Sequence, residues 1–250
     1  MSGHSKWSSI KHKKGVADAR RGKLFSKLSR AIIVAAREGG GDAAGNLALQ
    51  NAIEKARSYS MPKDNIERAI ARGAGAGGDG SAYEHPTYEG YGPGGVAVFV
   101  EALTDNRNRT AAEVRHIFAK NEGSLGESGS VAWLFERKGV VLVPAEVDED
   151  ELMLTAADAG AEDVVEEGSS YRVTSPPEDL ESVRSALEEA GYPIESAQPM
   201  MVPKTTIAIE DESTAKKIVR LMDALEENDD VQDVHANFDI PERVLEAVAG

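Results

Sequence analysis

The chain has 250 residues, 41% of them hydrophobic, and 28 Lys and Arg against 43 Asp and Glu give a formal charge of −15. That is enough apolar side chain to bury cores in one to three domains, which excludes whole-chain disorder. Cysteine is absent, which removes disulfides, thiolate metal sites and cysteine nucleophiles and fits a reducing compartment. The apolar run at 31–36 is far shorter than the roughly 18 residues of a membrane span and too late and short for a signal-peptide core, so a cytoplasmic protein with no membrane partner is expected.

Charge is unevenly distributed. The first 72 residues carry 15 basic and 6 acidic side chains, a balance of +9, and the rest carries −24. A basic head on an acidic body points to a polyanion partner at one end, unless the head is merely a solvated face. Lys6, Lys11, Lys13 and Lys14 stand with His4, His12 and Trp7 in an N-terminal arm without helical periodicity. Such an arm is expected to order on a polyanion, with Trp7 either stacking on a base or pinning the arm to the head.

From 15 to 38 there is no proline, and Leu24, Phe25, Leu28, Ile32, Ala35 and Ala36 recur at helical spacing. At about 100° per residue, Arg20, Lys23, Lys27, Arg30 and Arg37 share a sector pointing away from that stripe, so one helix offers a core face and a cationic face. Asp42 is positioned to cap a second helix with Leu49, Ala52, Ile53 and Ala56 on one side. Pro62 suits the first turn of a third, carrying Ile66, Ala69 and Ile70 and ending at Gly73. A three-helix bundle follows. The G-x-G-x-x-G match at Gly73, Gly75 and Gly78 lacks the preceding strand of a dinucleotide fingerprint and reads as a linker.

Beyond the linker, 96–103 reads as a strand, 110–120 as a helix and 131–135 as a strand. The next stretch alternates in the same way: strand 140–143, helix 148–159, strands 163–166 and 171–174, helix 178–190 and strand 194–201, a complete ferredoxin-like β-α-β-β-α-β unit. Strand 205–209, helix 213–225 and strand 231–238 then supply the half that 96–135 lacks. The expected fold is α+β and multidomain, an N-terminal three-helix bundle plus two ferredoxin-like α/β domains, one inserted in the other. The boundaries are 1–80 for the basic helical domain and linker, 81–136 plus 204–250 for the split domain and 137–203 for the insert. An unpaired half would leave open strand edges.

Catalytic machinery is not legible. The five histidines show no zinc-protease spacing, there is no phosphate-binding G-x-x-x-x-G-K-[ST], and Ser128 lies in GESGS rather than G-x-S-x-G. The acids at 148–151 lack the glycine and terminal glutamate of a calcium loop and read as a helix first turn. No catalytic residue, metal, cofactor or small-molecule substrate is expected. One segment stands out. TDNRNRTAAEVRHIF at 104–118 places Arg107 and Arg109 in a strand-to-helix turn, where free helix N–H groups suit a phosphate. The alternative is that Asn108 or Thr110 caps the helix and the arginines pair with nearby acids.

GHSKWSSIKHKK at 3–14, MPKDNIERAI at 61–70, YEGYGPGGVAV at 88–98, TDNRNRTAAEVRHIF and GSVAWLF at 129–135 together resemble the YebC/PmpR family. The resemblance implies a helical head with two α/β domains and a non-enzymatic role in gene expression, either as a DNA-binding transcriptional regulator or as a ribosome-linked translation factor that relieves stalled synthesis. GHSKW starting at Gly3 leaves no room for an organellar presequence, so a bacterial origin is expected. No helix-turn-helix with a recognition helix or zinc-finger set is visible, which favours structured RNA or the ribosome as partner, with DNA as the alternative and an acidic protein-interaction adaptor as a second alternative. The expected nucleic-acid contacts are Lys6, Trp7, Lys11, His12, Lys13, Lys14, Arg20, Lys23, Lys27, Arg30, Arg107 and Arg109.

Overall fold

The structure, a computed structural model, describes residues 18–75, 83–241 and 243–244, with side chains of the first helix described from Gly22 onward. The expected contacts Lys6, Trp7, Lys11, His12, Lys13 and Lys14 lie outside the described residues, as does the side chain of Arg20.

Three helices form the head: α1 (Asp18–Gly39), α2 (Leu47–Ser58) and α3 (Lys63–Ala74). Leu28, Ile32, Ala35 and Ala36 of α1 meet Leu49, Ile53 and Ala56 of α2 and Ile66 and Ala69 of α3 in one core, as the helical spacing requires. Capping differs from expectation. Asp42 caps only a short 3-10 turn (Ala43–Gly45), and Asn46 caps α2. Its Oδ1 accepts from Leu49 N at 3.1 Å while its Nδ2 donates to the Ala35 and Gly40 carbonyls, each at 2.8 Å. One buried amide thus satisfies the end of α1 and the start of α2. Gly73 does not end α3. It lies within the helix, where a Cβ would stand 2.4 Å from the Ile33 carbonyl and 2.7 Å from Ala36 Cβ, so its bare backbone permits the close α1–α3 approach.

The body holds two four-stranded antiparallel sheets. The first contains β1 (Thr87–Tyr91), β2 (Ala97–Ala102), β3 (Ser124–Leu125) and β9 (Val231–Ala236) in the order β3-β1-β2-β9. Helices α4 (Arg107–Lys120) and α7 (Glu212–Glu226) cover one face, burying Val114, Phe118, Ile218, Leu221, Met222 and Leu225 against Val98, Val100 and Val234. The second contains β4 (Phe135–Pro144), β5 (Asp163–Glu167), β6 (Ser170–Ser175) and β7 (Ser196–Pro203), with helices α5 (Glu149–Asp158) and α6 (Leu180–Glu189). Its order, β5-β6-β4-β7, is that of the expected ferredoxin-like unit, and the α+β multidomain class holds for the molecule.

Two strand assignments in the first sheet change. The segment 205–209, expected as a strand of this domain's second half, contributes no strand to the four-stranded sheet, where β1 pairs with β2; only β8 (Ile207–Ala208) forms within it, paired in parallel with β10 (Phe238–Asp239) in a separate ribbon. The segment 131–135 is not a strand of this sheet. Ala132–Leu134 is a 3-10 turn, because the amides of Gly129, Val131 and Ala132 donate to the buried Glu89 carboxylate, each at 2.7 Å, instead of to a neighbouring strand. β4 begins at Phe135, whose ring centroid is 6.1 Å from that of Phe99 on β2 and joins the two α/β units.

Candidate nucleic-acid interface

The cationic face of α1 is divided between two uses. Its middle is a contact within the protein. Lys27, 9% exposed, donates through Nζ to the Glu226 carbonyl, and Arg30 Nη1 donates to the Asp229 carbonyl at 3.1 Å and to Asp230 Oδ1 at 3.0 Å. From α2, Lys55 pairs with Asp233. The expectation of one open cationic sector therefore fails at Lys27 and Arg30, because the acidic turn after α7 packs on them.

Asp230 organises this junction. Only 4% exposed, it accepts at Oδ2 from Thr104 Oγ1 at 3.1 Å, Thr110 Oγ1 at 2.7 Å and Arg109 Nη2 at 2.7 Å, while Oδ1 receives Arg30. Burial pushes its carboxyl upward, but the hydrogen bonds from Arg109, Thr110 and Thr104 outweigh burial and hold it below the ordinary 3.8. Arg109 also binds Asp105 Oδ1 at 2.9 Å, and its hydrogen bonds to Asp230 and Asp105 push its pKa upward. The arginines of the 104–109 turn thus pair with acids, Arg107 reaching Glu84 at 3.8 Å. The helix is capped by Asn106, whose Oδ1 accepts from Arg109 N at 3.1 Å, and not by Asn108 or Thr110.

Two concavities flank Arg30. A cleft of about 460 Å³ lies between α1 and the Asp230 junction, and its lining includes Lys23, Arg30 and Arg109 but five carboxylates, so it does not suit a phosphate. The other, a groove of about 360 Å³, is lined among the described residues by Phe25, Ser26, Ser29, Arg30, Ile33, Arg37, Arg72 and Tyr83, with three guanidinium groups and no carboxylate among them. Helical spacing aligns Ser26, Ser29, Arg30, Ile33 and Arg37 along one wall. The α1–α3 approach at Gly73 brings in Arg72, and Tyr83 enters from beyond the linker with Arg37 Cζ 6.0 Å from its ring centroid. Guanidinium groups beside an aromatic ring and hydroxyls suit a nucleic-acid backbone with unstacked bases. Of the expected contacts, Lys23 lies on the acidic cleft and Arg30 borders both concavities. Arg72 and Tyr83 were not anticipated. Arg37 shows in the sequence as the residue two turns after Arg30, whereas nothing local marks Tyr83.

Residues 5–76 match the family model described as the TACO1/YebC protein N-terminal domain, and residues 83–238 match the TACO1/YebC second and third domain. The chain belongs to the TACO1/YebC family. Relatives in it include a probable transcriptional regulatory protein of Rubrobacter xylanophilus, 63% identical over 251 residues and covering 100% of both chains, and one of Halothermothrix orenii, 56% identical over 251 residues and covering 99% of each. A conserved hypothetical protein from Aquifex aeolicus of known crystal structure superposes with a TM-score of 0.79 at 54% identity, over 90% of this chain and 93% of that one. Among the described residues, no helix of this TACO1/YebC chain is long and apolar enough to cross a membrane, and no group of three or more His, Cys, Asp or Glu side chains is arranged to hold a metal ion.

Proposed function

We propose that this protein is a non-enzymatic, nucleic-acid-binding regulator of gene expression in the cytoplasm, directed to structured RNA of the ribosome as a translation factor that relieves stalled synthesis. The observation that carries this reading is the groove on α1: Arg37 and Arg72 beside an aromatic ring, with Arg30 at the border it shares with the Asp230 junction and no carboxylate among the described lining residues, in a protein of net charge −15. The arm lysines Lys6, Lys11, Lys13 and Lys14, with His12, Trp7 and Arg20, precede that groove in the chain and are assigned to the same interface on charge. An acidic body with a basic groove favours backbone-led binding, since phosphate contacts position a protein without reading bases.

A DNA-binding transcriptional regulator is the second reading, favoured by the name that the Rubrobacter and Halothermothrix relatives carry. The test is sedimentation with ribosomes and binding to random and selected duplex DNA at two salt concentrations, for the parent and for Arg37→Glu/Arg72→Glu. Ribosome association that the double variant loses, with duplex binding that depends on salt and little on sequence, is expected. A duplex site held about a thousandfold more tightly than random DNA, with no ribosome association, would overturn the translation reading.

A further inference from the structure

Helix α5 is apolar over more of its surface than the core uses. Residues 152–157 read LMLTAA, yet the helix is held from one side: Leu152 and Ala156 are fully buried in a core with Val141, Val143, Val183 and Leu187. Met153 and Leu154, on the outer side, are 45% and 69% exposed. A helix packed on one side ordinarily carries polar residues there. Ala157, four and three residues after them, is exposed as well, so the three side chains form one continuous apolar strip.

Charge around the strip selects its occupant. Residues 139–171 contain ten acidic side chains and no lysine or arginine. Asp150, Glu151 and Asp158, all exposed, stand three or four residues from Leu154 and border it at both ends. Lys138 reaches Glu162 at 2.8 Å, but no cation reaches these three carboxylates among the described residues. Acids in a first turn stabilise a helix through its dipole, which accounts for Asp150 and Glu151. Asp158 lies in the last turn, where the dipole favours a cation and α5 has none, so its charge opposes the helix that carries it. This field repels nucleic acid and anionic lipid, and an isologous second copy would bring like charges together. A protein segment that carries both apolar side chains and cations matches the strip and its border.

We propose that the outer face of α5 docks a lysine- or arginine-rich amphipathic helix of a partner protein, its apolar side on Met153, Leu154 and Ala157 and its cations on Asp150, Glu151 and Asp158. The site is independent of the RNA reading above and gives the acidic insert a protein-binding role. The full-length chain is titrated with a fluorescent lysine–leucine peptide whose leucines recur at helical spacing, followed by anisotropy. Its controls are the same peptide with serine in place of leucine and a version interrupted by prolines. Tight binding of the first peptide alone is expected, with slowed amide exchange in α5. Met153→Ser/Leu154→Ser should weaken it about tenfold or more, the loss expected of an interface hot spot, with the thermal melt unchanged because both side chains are exposed. Asp150→Asn/Glu151→Gln/Asp158→Asn should also weaken it and flatten its salt dependence. Glu178→Gln/Glu189→Gln/Glu212→Gln, which removes the same charge from other exposed positions, should leave both nearly unchanged. Equal binding of the serine peptide, or equal loss in the two charge variants, would reduce the face to a general acidic field and overturn the proposal. Met153→Ser/Leu154→Ser binding as tightly as the parent would overturn it too, and equal binding of the proline-interrupted peptide would refute a helical partner. Self-association of the parent in analytical ultracentrifugation that Met153→Ser/Leu154→Ser abolishes would assign the face to a second copy instead.

Discussion

Replacing Asp230 by Asn keeps the side-chain volume and removes the charge on which two domains converge. Four donors meet its carboxylate: Thr104, Thr110, Arg109 and Arg30. An Asn amide accepts through only one atom, so at least one donor faces an NH2 group. Removing one partner of a fully buried pair costs about 3–5 kcal/mol. The side chains of Arg30 and Arg109 are 29% and 44% exposed and can turn to water, which reduces the expected loss to about 2–3 kcal/mol. At about 2–4 °C per kcal/mol for a protein of this size, the melting transition should fall by about 4–12 °C at neutral pH, read by calorimetry. The pH dependence follows from the sign of the shift. The folded pKa of Asp230 lies below 3.8, so its contribution is complete above that value and is lost as pH falls through the lowered folded value. Parent and Asp230→Asn should therefore converge in acid. A variant melting within about 2 °C of the parent at pH 7, short of the shift expected, or a gap that persists through the acid limb, would refute the electrostatic account of this junction.

Glu89→Gln replaces a carboxylate that three amides hold below the usual carboxylate range against burial, and should cost about 2–3 kcal/mol while speeding amide hydrogen exchange at Gly129, Val131 and Ala132. Gly73→Ala, normally worth up to about 1 kcal/mol of added helix stability, should instead destabilise the head by about 2 kcal/mol or more through overpacking, because its Cβ would meet the Ile33 carbonyl; exchange protection in α1 and α3 reports it. Excision of 137–203 with a short Gly/Ser bridge should leave a cooperatively melting protein, since Phe135 and Pro203 are register partners across β4 and β7 and the remaining sheet keeps its four strands; a molten product at several bridge lengths would show that the insert is needed to complete the fold.

The helices of the head follow from apolar periodicity, because there the pattern and the burial agree, and the element order of the second sheet is legible although β6 also buries Arg172, Thr174 and Ser175. The failures sit where a polar group does the folding. TYEGY does not read as a strand, since Glu89 is a buried carboxylate and Gly90 is required by crowding: its Cβ would lie 2.6 Å from the Ser124 carbonyl. VAWLF at 131–135 does read as a strand, but Glu89, more than forty residues upstream, takes the amides that a ladder would use. A buried acid that organises a distant loop leaves no periodic trace.

The same limit governs the candidate site, and it sets what a salt titration should show. A helical wheel says which side of α1 a cation occupies and not what that side faces. An excess of +9 in the head can be answered by an external polyanion or by the acidic body itself, and Lys27, Arg30 and Lys55 are answered by the body. Counting head charges therefore overstates the phosphates neutralised. For single-stranded RNA the logarithm of affinity falls with that of salt with a slope of about −0.7 per phosphate contact. If Arg37 and Arg72 act alone, the slope is about −1.4, and if the four arm lysines join them it approaches about −4. A slope near −1.4 in the parent would restrict binding to the groove, and one near −4 that Lys6, Lys11, Lys13 and Lys14 replacements reduce would place the arm on the RNA. A steeper slope that also responds to Lys27→Gln would mean that the α7 turn releases α1 on binding, the outcome that the buried Lys27 contact opposes.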